Sequence, residues 1–545
     1  MPSCPSARAD GTAAVAMPKR VRSMTLGIRM LACAALASLA AAAHAGPVVG
    51  TDRGAVEGVD QGVTEAFLGV PYAAPPVGPM RWREPGPVVA WEGVRAAHHH
   101  APACQQGLAQ PWGPYTAEFV AGAPVSEDCL YLNVWRPEHG ARRLPVLMFI
   151  HGGAYQGGSG SLPIYDGARL AARGAVVVTI NYRVGVLGFL AHPALTAESP
   201  LHSSGNYGLL DQIAALRWVQ SNIARFGGDP ANVTIAGESA GAASVNNLIM
   251  MPLAQGLFRQ AIAFSGASMA IETPELVEGE RRGEALARQL GAASIDALRA
   301  VPAETLIDAS RVVPVEGGGP PSLRFVPHHD AAVLPLDPAD PTQPVASPVP
   351  YMTGFNSAEM IDQSVATPDQ FTAAVRRRYG QFADRLLALY PHATNDEARQ
   401  SNELLARDRY MTGLLLWSAA RSRASGQRVY AYLYHHPYPV VRGGISWGTF
   451  HSSGLPYVFG TIGLGDRAWS PADGAVVRRW QDRVLAFMRR GDPSLPNRRW
   501  RPAGDGMTQV MGIGDVDGMH DGVSSAARLE ALRAYAASGG SLGLM

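Results

Sequence analysis

Almost every position is apolar in two stretches of the chain, 144–150 and 175–180, and each runs into a loop that carries glycine. A strand with apolar side chains on both pleat faces has to be covered on both, so these stretches predict central strands of a mostly parallel sheet. Between 211 and 226 the residues Ile213, Leu216, Trp218, Val219 and Ile223 recur at helical spacing, and 233–236 is again a short apolar run. Strand, helix and strand in this order predict a right-handed βαβ crossover. Patterns at 48–56 and 65–70 predict an edge hairpin, followed by a loop rich in Pro and Gly at 71–87. Further strands are expected at 349–353, which Pro350 keeps short, and at 429–434. Helices are expected across 273–311, 475–490 and 524–537, the last placed to cap the fold or to meet a second copy. No shift of composition and no repeat marks a second domain. The pattern predicts an α/β fold over 46–545: a mostly parallel central sheet flanked by helices, with long loop and helical insertions.

Charge narrows the partners. The chain has 545 residues with 46 basic and 45 acidic side chains, a net charge of +1. No basic patch with interleaved aromatics occurs, so a nucleic-acid partner is not expected and a small or neutral ligand is. At the amino terminus Lys19, Arg20, Arg22 and Arg29 precede an apolar run from Met30 to Ala43, closed by Ala43-His44-Ala45. That is the build of an export signal, with 1–45 removed by cleavage near Ala45 and the product periplasmic or extracellular. The apolar run is shorter than the roughly 20 residues of a membrane span, so stable insertion is not expected. Cys33 within this run is the residue of a lipid-attachment alternative, with Met30 where Leu is usual. Beyond the leader two cysteines remain, Cys104 and Cys129. In an oxidising compartment they are expected to pair, the alternative being two buried thiols.

Two motifs carry chemistry. Gly237-Glu238-Ser239-Ala240-Gly241 lies between the short strand at 233–236 and an apolar helical stretch. A serine on a sharp strand-to-helix bend needs small neighbours, and the bend sets it at the positive end of the helix. Upstream, the strand ending at Ile150 runs into His151-Gly152-Gly153-Ala154-Tyr155. Amides of small residues can converge on one oxyanion there, and Gly153 and Ala154 with Ala240 would supply three donors. An ordinary glycine turn is the alternative. Consecutive His98-His99-His100 cannot all face one ion, and no partner residue is spaced for a metal site; no metal and no cofactor are expected.

These motifs occur with Glu127-Asp128-Cys129-Leu130-Tyr131-Leu132-Asn133-Val134, Asn181-Tyr182-Arg183, Gly205-Asn206-Tyr207-Gly208 and Phe226-Gly227-Gly228-Asp229-Pro230. Together, from about residue 54 to residue 460, they resemble the type-B carboxylesterase family, which includes cholinesterases and bacterial para-nitrobenzyl esterases. The resemblance implies an α/β-hydrolase fold with an active-site gorge and a triad in the order Ser, acid, His. Ser239 is then the nucleophile. Glu359, in Gly354-Phe355-Asn356-Ser357-Ala358-Glu359, is the implied acid, with Asp362 as rival. His451, in Thr449-Phe450-His451, is the implied base, rather than His435 or His436. The chain departs from the family at Met360, where glycine is usual, and at Gly454, where many relatives carry Glu. Arg183 with Asp211 and Arg81 with Glu127 resemble the family's buried ion pairs. Glu238, Gly152 and Tyr155 are further candidates at the substrate site, and Trp112 either stacks on a cation or packs on the surface.

The expectation is an exported serine carboxylesterase that acts on small-molecule esters as a monomer or homodimer. Its base should be neutral when active, so activity should fall as pH drops through about 6.5. An amide, carbamate or lactone hydrolase on the same triad is one alternative, and a non-catalytic binding protein of the same fold is another. Specificity is expected in the loops 105–125, 269–335 and 437–445.

Overall fold

The computed structural model describes residues 46–138, 140, 142–266, 273–311, 325–359 and 361–543. The expected leader, Met360 and parts of the 269–335 loop lie outside these residues. From Pro47 onward the chain forms one compact unit. Its frame is an eleven-stranded sheet: β1 (Val59–Asp60), β2 (Thr64–Pro71), β3 (Tyr131–Pro137), β4 (Leu144–Ile150), β5 (Val176–Ile180), β6 (Gly228–Glu238), β7 (Gln260–Phe264), β8 (Tyr351–Asn356), β9 (Val429–Tyr434), β10 (Gln509–Ile513) and β11 (Gly518–Asp521). The spatial order is β11-β10-β9-β8-β7-β6-β4-β5-β3-β2-β1. From β5 to β10 every neighbouring pair is parallel, while β3 on β5 and β11 on β10 are antiparallel.

Why the central strands are apolar throughout is visible in how they divide their side chains. Val146, Met148 and Ile150 enter one hydrophobic cluster, and Leu147 and Phe149 enter another on the opposite face. Val176 and Val178 take the first side, Val177 the second. Successive side chains on a strand point to opposite faces, so a sheet covered on both sides permits no polar alternation. The covering helices include α1 (Tyr207–Asn222), α2 (Ala240–Met250), α3 (Asn395–Ser425), α4 (Pro471–Arg490) and α5 (Ala526–Ala537). A third cluster, with Phe371, Tyr379, Leu386, Tyr390 and Leu532, joins α3 and α5 to two shorter helices away from the sheet.

Most expected elements are present with shifted ends. The 48–56 pattern is two strands, Val48–Gly50 and Ala55–Glu57, which pair antiparallel in a small three-stranded sheet completed by Val94–Ala96, in place of the expected hairpin with 65–70. The 273–311 region is three helices. Absent from the expectations are β1, β3, β7, β10, β11 and the 31-residue α3. Cys104 and Cys129 form a disulfide. The two expected ion pairs are built: Arg183 grips buried Asp211 through Nε at 2.8 Å and Nη2 at 2.7 Å, and Arg81 grips Glu127 through Nε at 2.7 Å. Among the described residues no helix is long and apolar enough to cross a membrane.

Candidate active site

β6 ends at Glu238 and α2 begins at Ala240, so Ser239 alone makes the bend between them. Its φ of 57° and ψ of −120° are sparsely populated by L residues and cost on the order of 1–3 kcal/mol. The neighbouring glycines permit the bend. A Cβ on Gly237 would stand 2.2 Å from the carbonyl oxygen of Gly241, and one on Gly241 would stand 2.1 Å from that of Ile150. Backbone occupies both spaces, so no other residue fits. The Ser239 N–H is tied to the carbonyl of Phe264 at 3.0 Å, which fixes the bend against β7.

The loop after β4 lies directly on this bend. A Cβ on Gly152 would come within 2.7 Å of the Glu238 carbonyl and 3.0 Å of the Ser239 Cβ. Gly153, Ala154 and Tyr155 all have positive φ, at 111°, 56° and 60°. Gly152, Gly153, Ala154 and Ala240 line one cavity with Ser239. Tyr155 does not, which corrects its candidacy at the substrate site. The positive φ values turn its ring into the core, where Phe189 packs on it edge-on at 5.0 Å and its hydroxyl accepts from Ser244 and Asn247. Only 1% of it is exposed.

Residues 359 and 451 come from loops after β8 and β9, and the fold brings them together. The Nδ1 of His451 lies 2.5 Å from Glu359 Oε2. The other oxygen of buried Glu359 accepts the Asn356 N–H at 2.9 Å and the Ser265 hydroxyl at 2.5 Å. With Oε1 occupied, Oε2 is left to receive the ring N–H, and the tautomer is fixed with Nε2 facing away from Glu359. His451 then lines the cavity that Ser239 lines. The rival Asp362 is exposed and binds Ser364 instead. His436 is also excluded, because Asp515 and Asp473 hold its two nitrogens at 2.8 and 3.0 Å away from the cavity. Gly454, where relatives carry Glu, precedes the short helix Leu455–Phe459 and faces Asn356.

Two serines and one carboxylate complete the arrangement. Ser265, at the end of β7 with φ 54°, orients Glu359. Ser452 donates to Glu238 Oε1 at 2.6 Å, and the same oxygen lies 3.1 Å from His451 Nε2. Burial pushes the Glu238 carboxyl above its ordinary range, opposed by His451 and Ser452. For His451 burial alone would favour the neutral ring, but the carboxylates of Glu359 and Glu238 outweigh it and push the ring up to about 9. Both ring nitrogens thus face a carboxylate, and this favours the imidazolium form. Neither Ser265 nor Ser452 stands out in the sequence; Ser452 had only its place beside His451 as a signal.

The cavity has a volume of about 570 Å³. One side is the disulfide-closed loop, which contributes Gln106, Trp112, Tyr115 and Phe119, and the Trp112 ring packs tilted against Tyr115 at 4.8 Å. Leu162, Ile164 and Tyr165 add apolar wall. Among the described residues, none from 273–311, 325–335 or 437–445 lines it, while the first expected specificity loop does. Ser541 and Gly543 line it instead, and no sequence pattern singles them out. His98 and His100 face Glu57 and Asn133, outside the cavity.

Comparison with known proteins agrees with this geometry. The fumonisin B1 esterase of Sphingopyxis macrogoltabida is 39% identical over 73% of this chain and 72% of its own length. The para-nitrobenzyl esterase of Bacillus subtilis is 36% identical over 79% of this chain and 87% of its own. A solved PNB esterase structure superposes with a TM-score of 0.71 at 32% identity, over 89% of this chain and 99% of that one. The carboxylesterase family model matches residues 45–528. On that span of sequence and on the α/β-hydrolase fold it shares with PNB esterase, the chain belongs to the carboxylesterase family and is a type-B carboxylic ester hydrolase.

Proposed function

We propose that this chain is exported and that it cleaves esters through an acyl-enzyme on Ser239. The observation that carries the mechanism is the Glu359–His451 pair opening into the same cavity as a serine held on a strained bend. His451 Nε2 takes the Ser239 hydroxyl proton as the oxygen attacks the ester carbonyl, and Glu359 steadies the imidazolium. The amides of Gly153, Ala154 and Ala240 receive the charge that develops on the carbonyl oxygen; losing one such donor costs about 3–4 kcal/mol of barrier. The ring returns its proton to the leaving alcohol. Water then attacks the acyl carbonyl carbon with His451 again as base, the bond to Ser239 Oγ breaks as the ring returns its proton to that oxygen, and the acid departs.

Export is supported by the basic and apolar leader and by the Cys104–Cys129 bond, which persists in oxidising compartments. Ester cleavage is preferred over amide cleavage because the relatives are esterases by name.

The test is covalent labelling. A fluorophosphonate should label one serine, and Ser239→Ala should remove both the label and about six orders of magnitude of kcat. Retained labelling or turnover in that variant would remove Ser239 from the chemistry. Sequencing the mature amino terminus from the periplasm or medium tests export.

A further inference from the structure

One wall of the catalytic cavity comes from the carboxyl-terminal side of α5, far from the strand ends that carry the chemistry. After α5 the chain turns at Gly539, with φ 89°, and folds back so closely on Tyr535 that a Cβ on Gly540 would stand 2.4 Å from its ring. The amides of Ser538 and Gly540 both bond the Tyr535 carbonyl, at 3.2 and 3.0 Å. The next three residues divide their contacts. Ser541 and Gly543 line the cavity, while Leu542 between them packs against the outer cluster that contains Phe371, Tyr379 and Tyr535.

We propose that 541–543 is a strap that selects esters by the size of the group they carry; this rests on the reading of Ser239 as nucleophile. The strap fits that task in two ways. Its cavity-facing residues are a serine and a glycine, so it takes little space and any added side chain is felt at once. Its attachment is separate from the catalytic frame, because Leu542 is anchored on the third cluster and not on the clusters that cover the sheet. That attachment is also slight. Among the described residues it includes one half-buried leucine and a 3.4 Å bond from Arg378 Nη2 to the Gly543 carbonyl. Segments with few buried contacts open at little cost, whereas the wall formed by the bend at Ser239 cannot move without loss of the chemistry.

The experiment compares kcat/KM for para-nitrophenyl octanoate and para-nitrophenyl acetate in the full chain. Ser541→Trp should lower the octanoate-to-acetate ratio by about tenfold or more, since a filled pocket discriminates by groups of this size. Leu542→Asp, which releases the anchor, should raise the ratio by about threefold. Ser541→Val shifts the ratio in the same direction as Ser541→Trp and serves where the larger side chain prevents folding. Fluorophosphonate titration counts the working sites in every preparation. A ratio that stays constant across the three variants while each labels fully overturns the strap. Failure of the unaltered enzyme to label overturns the nucleophile reading instead.

Discussion

At residue 451 two carboxylates compete for one imidazole. Glu359 holds Nδ1 and Glu238 lies against Nε2, and between them they push the ring up to about 9. The catalytic form is the neutral ring, so kcat/KM should fall as pH drops below about 9, higher than the 6.5 of an ordinary histidine. Glu238→Gln removes one of the two attractions and should move the inflection down toward 6.5. Rate profiles of both proteins decide this; an inflection that Glu238→Gln leaves in place would separate Glu238 from the titration. Legibility at this scale follows sequence distance. Ser239 is readable because its small neighbours stand beside it in the chain, and their need is physical: backbone fills the place of any Cβ at 237 and 241. His451 and Glu359 are reached only through resemblance, since nothing local marks them. Ser265 and Ser452 escape altogether, because a serine that orients a carboxylate looks like any other serine until the fold closes.

Among the elements, the loop between Cys104 and Cys129 does two things: it closes a 25-residue span and it supplies the aromatic side of the cavity. Reduction should lower stability by roughly 3 kcal/mol on the loop-entropy account. It should also raise KM more than it lowers kcat, because Trp112, Tyr115 and Phe119 stand on the loop and the triad does not. Urea melts and kinetics with and without reductant test both; a kcat loss at constant KM would assign the loop to the chemistry. The doubly covered strands β4 and β5 are legible from composition alone. The antiparallel β10–β11 edge is not, being short and interrupted by glycine. α3 shows a different limit. Thr394 and Glu397 form a capping box that marks its start, yet its middle is buried all round, so no single apolar stripe announces the helix.

For the whole molecule, acidity should act through buried histidines outside the triad. His151 is stacked on Tyr182 at 4.4 Å, and His328 is enclosed between Gly205 and Gly279. Burial lowers both to about 4. The unfolded chain binds their protons near 6.5 and the folded chain does not, so their stabilisation is complete above about 6.5 and is lost as pH falls toward 4. Urea midpoints should decline across that window, and a flat profile there would contradict the burial of these rings. The cavity has an electrostatic character of its own. Among the described residues that line it, the acidic and basic side chains are Glu238 and His451, beside the phenols of Tyr115 and Tyr165, with no lysine or arginine. A neutral ester enters at no Coulombic cost, but cleavage creates a carboxylate beside Glu238 and near Glu359. With two carboxylates set against one imidazolium, the reaction turns a guest into an anion that the surplus negative charge repels, and free acid should be a poor competitor of the ester even at high concentration.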